Sequence, residues 1–213
     1  MNRNEKFVIT INRELGSGGR SVGQKLADRL GVKFIDKAIL KALKAKYHLT
    51  TEEIEKLKGQ KEGWWAEFQR RVVPFTDVTN DLDGGNETEI ITTEEVFKTE
   101  SDIIRGITDQ ESCVITGRSA FYVLKDHPNH LSILIQAPME QRIQRVMMRQ
   151  ELLRNLAIKV INQVDERREN YVQKFCGTSR YDTRNYDLVI SMENIKEDDA
   201  VDIIMDYVYR QSK

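Results

Sequence analysis

Between Glu14 and Ser21 the chain reads ELGSGGRS, a run whose chemistry lies in the backbone more than in the side chains. Gly16, Gly18 and Gly19 let the main chain curl so that successive N–H groups converge on one point, and Ser21 adds a hydroxyl. A helix that begins here turns its positive end to the same point, and the combination suits an anion, above all a phosphate group. Measured against the pattern G-x-x-x-x-G-K-[ST], the last three fixed positions fall on Gly19, Arg20 and Ser21, while Glu14 stands at the first glycine position. Arg20 keeps the cation but spreads it over a planar fork that can grip two phosphate oxygens. The Ser21 hydroxyl occupies the position of a magnesium ligand.

Such a loop works only between a strand and a helix of a parallel sheet, and the flanking sequence supplies both. FVITI (Phe7 to Ile11) is a β-branched run, and Val22, Leu26, Ala27 and Leu30 follow the glycines at helical spacing. Gly31 stops that helix and VKFID (Val32 to Asp36) reads as the next strand, so the chain opens with a βαβ unit. Further strands are expected in SCVIT, in LSILIQ and in YDLVIS, with a helix after Thr116-Gly117-Arg118 and a helical pattern from Met139 to Phe175. The last helix, in KEDDAVDIIMDYVYRQ, carries Ala200, Ile203, Ile204, Tyr207 and Val208 on one face. Strands alternating with helices, five in all, describe an α/β domain with a doubly wound five-stranded parallel sheet. Residues 38–105 are polar helix formers broken near Pro74 and at NDLDGGNE, and read as a helical insert. Trp64 and Trp65 give that insert an apolar stripe, a packing face rather than a ligand-stacking surface, or an interface between copies in a homo-oligomer.

Bulk composition excludes several classes. Thirty-three Lys and Arg against 34 Asp and Glu leave a formal charge of -1, which argues against nucleic acid or an anionic membrane as the main partner. No apolar run approaches the roughly 20 residues of a membrane span and the start of the chain lacks a signal-peptide pattern, so a cytoplasmic protein is expected. Cys113 reads as core and Cys176 as part of a polar helix, a pair that forms neither a disulfide framework nor a zinc site. His127 and His130, in DHPNH, read as a polar turn before a strand, because Pro128 breaks the helix that would align them on a metal.

The stretch ITINRELGSGGRSVGQKLADRLGVKFIDKAIL resembles the opening of the cytidylate kinase-like family, a divergent branch of the P-loop nucleoside monophosphate kinases. The resemblance continues in CVITGRSAFYVL, in ILIQAPMEQRIQRV, and in VDERRENYVQKFCG followed by NYDLVIS, and fades between residues 42 and 107. It implies a single P-loop kinase-like domain over residues 1–213, with residues 38–105 binding the acceptor and residues 142–185 forming a lid-like region. It places the donor phosphates on Gly16, Ser17, Gly18, Gly19, Arg20 and Ser21, with Asp36 and Arg118 near the acceptor. An aspartate near the magnesium precedes the Gly-Arg pair in those kinases; here that position is Thr116.

Arg142 and Arg145 open the helix after the fourth strand, and Asp165 with Arg168 reproduces a D-x-x-R pattern of the lid. Phosphoryl transfer is mostly positioning and charge neutralisation, so Arg20, Arg142, Arg145 and Arg168 are the candidate catalytic residues. The implied activity is a kinase that uses ATP and Mg2+ to phosphorylate a nucleoside monophosphate, CMP in the family's name, or a related acceptor. Two other readings stay open: a nucleotide sensor without turnover, motivated by Glu14, Arg20 and Thr116, and an oligomerisation module in which the loop is a tight turn.

Overall fold

The computed structural model describes residues 1–36 and 94–211. The insert expected at residues 38–105 therefore lies mostly outside the described residues, together with Trp64 and Trp65. Its last part is seen, and belongs to a helix that runs on past the expected boundary.

The elements in chain order are β1 (Val8–Arg13), α1 (Gly19–Leu30), β2 (Lys33–Ile35), α2 (Glu94–Gln110), β3 (Cys113–Thr116) and α3 (Ala120–Val123). Then follow β4 (His130–Gln136), α4 (Met139–Gln150), α5 (Arg154–Cys176), a 3-10 turn (Thr183–Asn185), β5 (Leu188–Ser191) and α6 (Glu197–Gln211). All strand pairings are parallel and the sheet order is β2-β3-β1-β4-β5. Central β1 shows why its sequence is apolar without alternation: Val8 and Ile9 point to opposite faces, yet both are fully buried. Ile9 packs with Leu26 of α1 and Ile204 of α6 on one face, and Val8 with Ile104 of α2 and Leu124 on the other.

Strand order reverses at β1, because β3 and β2 lie on one side of it and β4 and β5 on the other. A crevice at the carboxyl end of such a strand is where α/β sheets bind ligands, and the glycine-rich run leaves β1 at that end. Helix α1 ends as its sequence requires, with Gly31 at φ 66° donating its N–H back to the carbonyls of Ala27 and Asp28.

The structure refines three expectations. The helical pattern from Met139 to Phe175 is two helices, broken at Glu151, which sits in the left-handed region at φ 52°. The helix expected after Thr116-Gly117-Arg118 is a short one of four residues, and it starts only at Ala120 because Arg118 and Ser119 are themselves left-handed, at φ 56° and 52°. The buried face of α6 is Ala200, Val201, Ile204, Met205 and Val208, and Ile203 is 42% exposed, so the stripe is rotated from the one expected. Cys113 is core as expected, and burial pushes its thiol up to about 12. Cys176, expected in a polar setting, is also buried, packed with Phe121 and Val172.

His130 opens β4 and its Nε2 lies 2.7 Å from Thr10 Oγ1 on β1. Burial pushes its pKa down to about 4, with His127 adding to the fall while Asp187 and the Leu124 carbonyl oppose it. The ring is therefore neutral in the fold and takes a proton more readily when unfolded. Its contribution is complete above about pH 6.5, the unfolded value, and is lost as pH falls towards 4, roughly 2–3 kcal/mol across that window. Urea unfolding at pH 7 and pH 4.5 is expected to show a larger acid loss for the wild-type chain than for His130→Gln. Equal losses would remove His130 as a cause.

Candidate functional site

The glycine-rich run forms a closed turn. Ser17 donates both its N–H (3.3 Å) and its hydroxyl (2.9 Å) to the Glu14 carbonyl, and Gly19 N–H donates to Ser17 Oγ (3.4 Å). Ser17 is thus a buried brace of the loop. Gly18, at φ 87°, occupies the N-cap of α1 and offers no side-chain cap to the first turn, which also lacks any acidic residue. The positive end of α1 is left to whatever anion enters the turn.

Glu14, in place of a glycine, tethers the turn to the start of α4: its carboxylate accepts the Ala137 N–H (3.1 Å) and pairs with Arg142 (3.3 Å). Helix α4 then lays arginines along the loop at i, i+3 and i+7, one face of a helix. Arg142 is buried and donates its Nε to the Leu15 carbonyl (2.8 Å). The Arg145 guanidinium lies where a side chain at Gly18 would be, and is held by Glu197 at the start of α6 (2.5 Å). Arg149 donates to Ser21 Oγ (3.2 Å).

Asp165 of α5 holds this set together from below. Its carboxylate accepts the Leu15 N–H (3.1 Å), binds the Arg142 guanidinium, and faces Arg180 (3.4 Å) and Arg168 (3.8 Å). Arg180, 1% exposed, also donates to the carbonyl of Arg13 and to Asn12 Oδ1 (3.4 Å). Burial holds its guanidinium below the usual arginine range, with Arg168 adding to the effect and Asp165 opposing it.

Arg20, expected on the donor phosphates, has its guanidinium on Asp36 instead, with Nη2 2.8 Å and Nε 2.9 Å from Oδ2, and stands over the Phe34 ring. Arg118, expected at the acceptor, pairs with buried Glu100 at 3.4 Å, and Glu100 also accepts from Tyr171 Oη. Of the expected residues, the structure gathers Gly16, Ser17, Gly18, Gly19, Ser21, Arg142, Arg145 and Arg168 around one turn. Arg20 with Asp36, and Arg118 with Glu100, form two separate ion pairs. Sequence reasoning gave no role to Arg149, Arg13 or Arg180. The helical spacing from Arg142 signals Arg149, whereas nothing in SRYDTRN distinguishes Arg180.

Residues 8–194 match the cytidylate kinase-like family. The chain belongs to that family. A solved structure from Eubacterium ventriosum shares the fold at a TM-score of 0.69 and 24% identity, covering 95% of this chain and 98% of that one. The shikimate kinase of Bacteroides thetaiotaomicron does so at 0.50 and 14%, covering 95% and 98%. The S-adenosylmethionine-dependent nucleotide dehydratase of Lacinutrix mariniflava is 23% identical over 97% of this chain. The chain spans 37% of that protein's length.

The family resemblance implies magnesium, and the donor set tests whether the described residues suit a resident ion. Each carboxylate around the turn is already engaged by a guanidinium: Glu14 by Arg142, Asp36 by Arg20, Asp165 by Arg142 and Arg180, and Glu197 by Arg145. Ser21 Oγ accepts from Arg149, and among the described residues no three His, Cys, Asp or Glu form a metal cluster. The described residues around the turn do not form a dedicated protein-held metal site. None of the described helices is long and apolar enough to cross a membrane.

Proposed function

We propose that the protein is an ATP-dependent small-molecule kinase that passes the γ-phosphoryl group to a nucleoside monophosphate, CMP or a related acceptor. The observation that carries this reading is the turn at Gly16–Ser21, placed at the switch point of the sheet with Arg145 over Gly18 and Arg149 on Ser21. Backbone N–H groups and the positive end of α1 hold the donor phosphates. Arg145 and Arg149 neutralise the charge that spreads over the phosphoryl oxygens as it leaves. Arg142 and Arg168 are committed to the Leu15 carbonyl, the Arg13 carbonyl and Asp165, and keep the turn in shape. Asp36 and Arg118 line the acceptor side in this reading, and the released proton of an acceptor oxygen passes to solvent or to the product phosphate. The name of the Lacinutrix mariniflava relative supports a nucleotide as the ligand class.

The sensor reading is favoured by one observation, the Arg20–Asp36 pair, which takes the cation of the loop away from the donor side. Thermal melts with ATP, ADP and each nucleoside monophosphate, with and without magnesium, separate the two readings when coupled to a turnover assay. ATP at 100 times its Kd is expected to stabilise the protein by about 2.7 kcal/mol, and one monophosphate to add to it. Arg20→Ala is expected to keep most of the ATP shift and to lose turnover by at least about tenfold, because Arg20 must leave Asp36 for the transferred group in a kinase. Nucleotide shifts without any transfer would establish the sensor; no shift with any nucleotide would end both readings.

A further inference from the structure

The side chain of Arg13 crosses from the phosphate turn to the end of β3. A Cβ at Gly19 would stand 2.6 Å from the Cβ of Arg13, and a Cβ at Gly117 would collide with its Nη1. Both positions are therefore closed to any residue but glycine so long as this arginine lies where it does. Its main chain is fixed as firmly, since the Arg13 carbonyl accepts from the guanidiniums of Arg168 (3.4 Å) and Arg180.

Beneath it, Thr116 is 1% exposed and its Oγ1 has no hydrogen-bond partner. Ile11 is in register with Thr116, so Thr116, Ile11 and Arg13 share one face of the sheet, the face covered by α1, where Thr116 Cγ2 meets Gly23. A buried hydroxyl without a partner costs about 1–3 kcal/mol. Arg13 thus carries a planar cation between the loop that holds donor phosphates and the strand end that leads into Arg118.

We propose that Arg13 is a phosphate ligand of the transfer site, gripping the phosphoryl group between the turn and β3 from the face that Thr116 shares. The inference rests on the kinase reading for its chemistry, but it concerns a binding contact that is measurable without turnover. The position suits a polyphosphate chain, whose oxygens match the guanidinium fork, better than a single rounded anion.

The test is calorimetric titration of ATP and of inorganic tripolyphosphate, in EDTA and in magnesium, into wild type, Arg13→Gln, Arg13→Lys and Thr116→Asp. Arg13→Gln is expected to weaken tripolyphosphate at least tenfold. Arg13→Lys, which keeps the charge but loses the fork, should weaken it by a smaller factor of about three or more. Thr116→Asp puts a carboxylate on the same face, draws the guanidinium away, and should weaken binding as Arg13→Gln does. Tight tripolyphosphate binding by wild type with no change in Arg13→Gln overturns the inference and leaves the loop reading standing. Where Arg13→Gln fails to fold, unchanged binding by Arg13→Lys together with tighter binding by Thr116→Asp overturns it equally. Failure of wild type to bind either ligand overturns the loop reading and this inference with it.

Discussion

Asp165→Ala is expected to lower the melting temperature by roughly 10 °C. Asp165 is 8% exposed, and its carboxylate is shared by the Leu15 N–H and the guanidiniums of Arg142, Arg180 and Arg168. Removing one partner of a buried ion pair leaves the other charge uncompensated and costs about 3–5 kcal/mol. At about 2–4 °C per kcal/mol for a chain of this size, the shift is well outside measurement error. Asp165→Asn keeps an acceptor for Leu15 N–H and should lose less. Asp165→Ala should also loosen the turn, because Asp165 is the acceptor that ties the Leu15 N–H of the loop to the Arg142 guanidinium of α4. A variant that melts within about 2 °C of wild type would show that Arg142 and Arg180 find other partners and that Asp165 is no hub.

Gly16→Ala is expected to lower ATP affinity and turnover by about a hundredfold while leaving the far-ultraviolet circular dichroism unchanged. Gly16 has φ 81°, a conformation that costs an L residue about 1–2 kcal/mol, and an added Cβ would meet the Arg142 carbonyl oxygen at 2.8 Å and its Cα at 3.1 Å. Those are backbone atoms at the start of α4, which cannot swing aside as a side chain can. The turn and the arginine face of α4 would have to separate, and the phosphate contacts depend on their closeness. Gly31→Ala is the control: φ is 66° there too, but nothing lies within 4 Å of the added carbon. It should cost about 1 kcal/mol of stability and leave nucleotide binding untouched. Equal effects of the two changes would mean that strain alone, and not the approach of α4, governs the loop.

The parts legible in the sequence were those decided by local pattern. FVITI and ILIQ are β-branched and apolar because both faces of β1 and β4 are covered, and Val22, Leu26 and Ala27 recur at helical spacing because α1 buries one side. The glycines between them announced a turn open to an anion, and Gly31 announced the helix end. Even the break at Glu151 lay beyond local reading, since QELLRN contains no glycine or proline to mark it.

Partnership was hidden. Glu14 reads as a departure from a phosphate-loop pattern, and the fold makes it the tether to Ala137 and Arg142. Arg20 reads as the phosphate cation, and the fold lays it on Asp36, sixteen residues on. Arg180 carries no sequence signal at all, because it meets Arg13 and Asn12 from more than 160 residues away. By itself the sequence determined the strands, the turn, the first helix and the excess of arginine in the later helices, all properties of short windows whose periodicity and backbone chemistry act locally. Which arginines face the turn, and which carboxylate holds each of them, was decided only when the parallel sheet brought the ends of β1, β3 and β4 together with α4 and α5. An ion pair depends on distance in space, and spacing along the chain does not encode that distance.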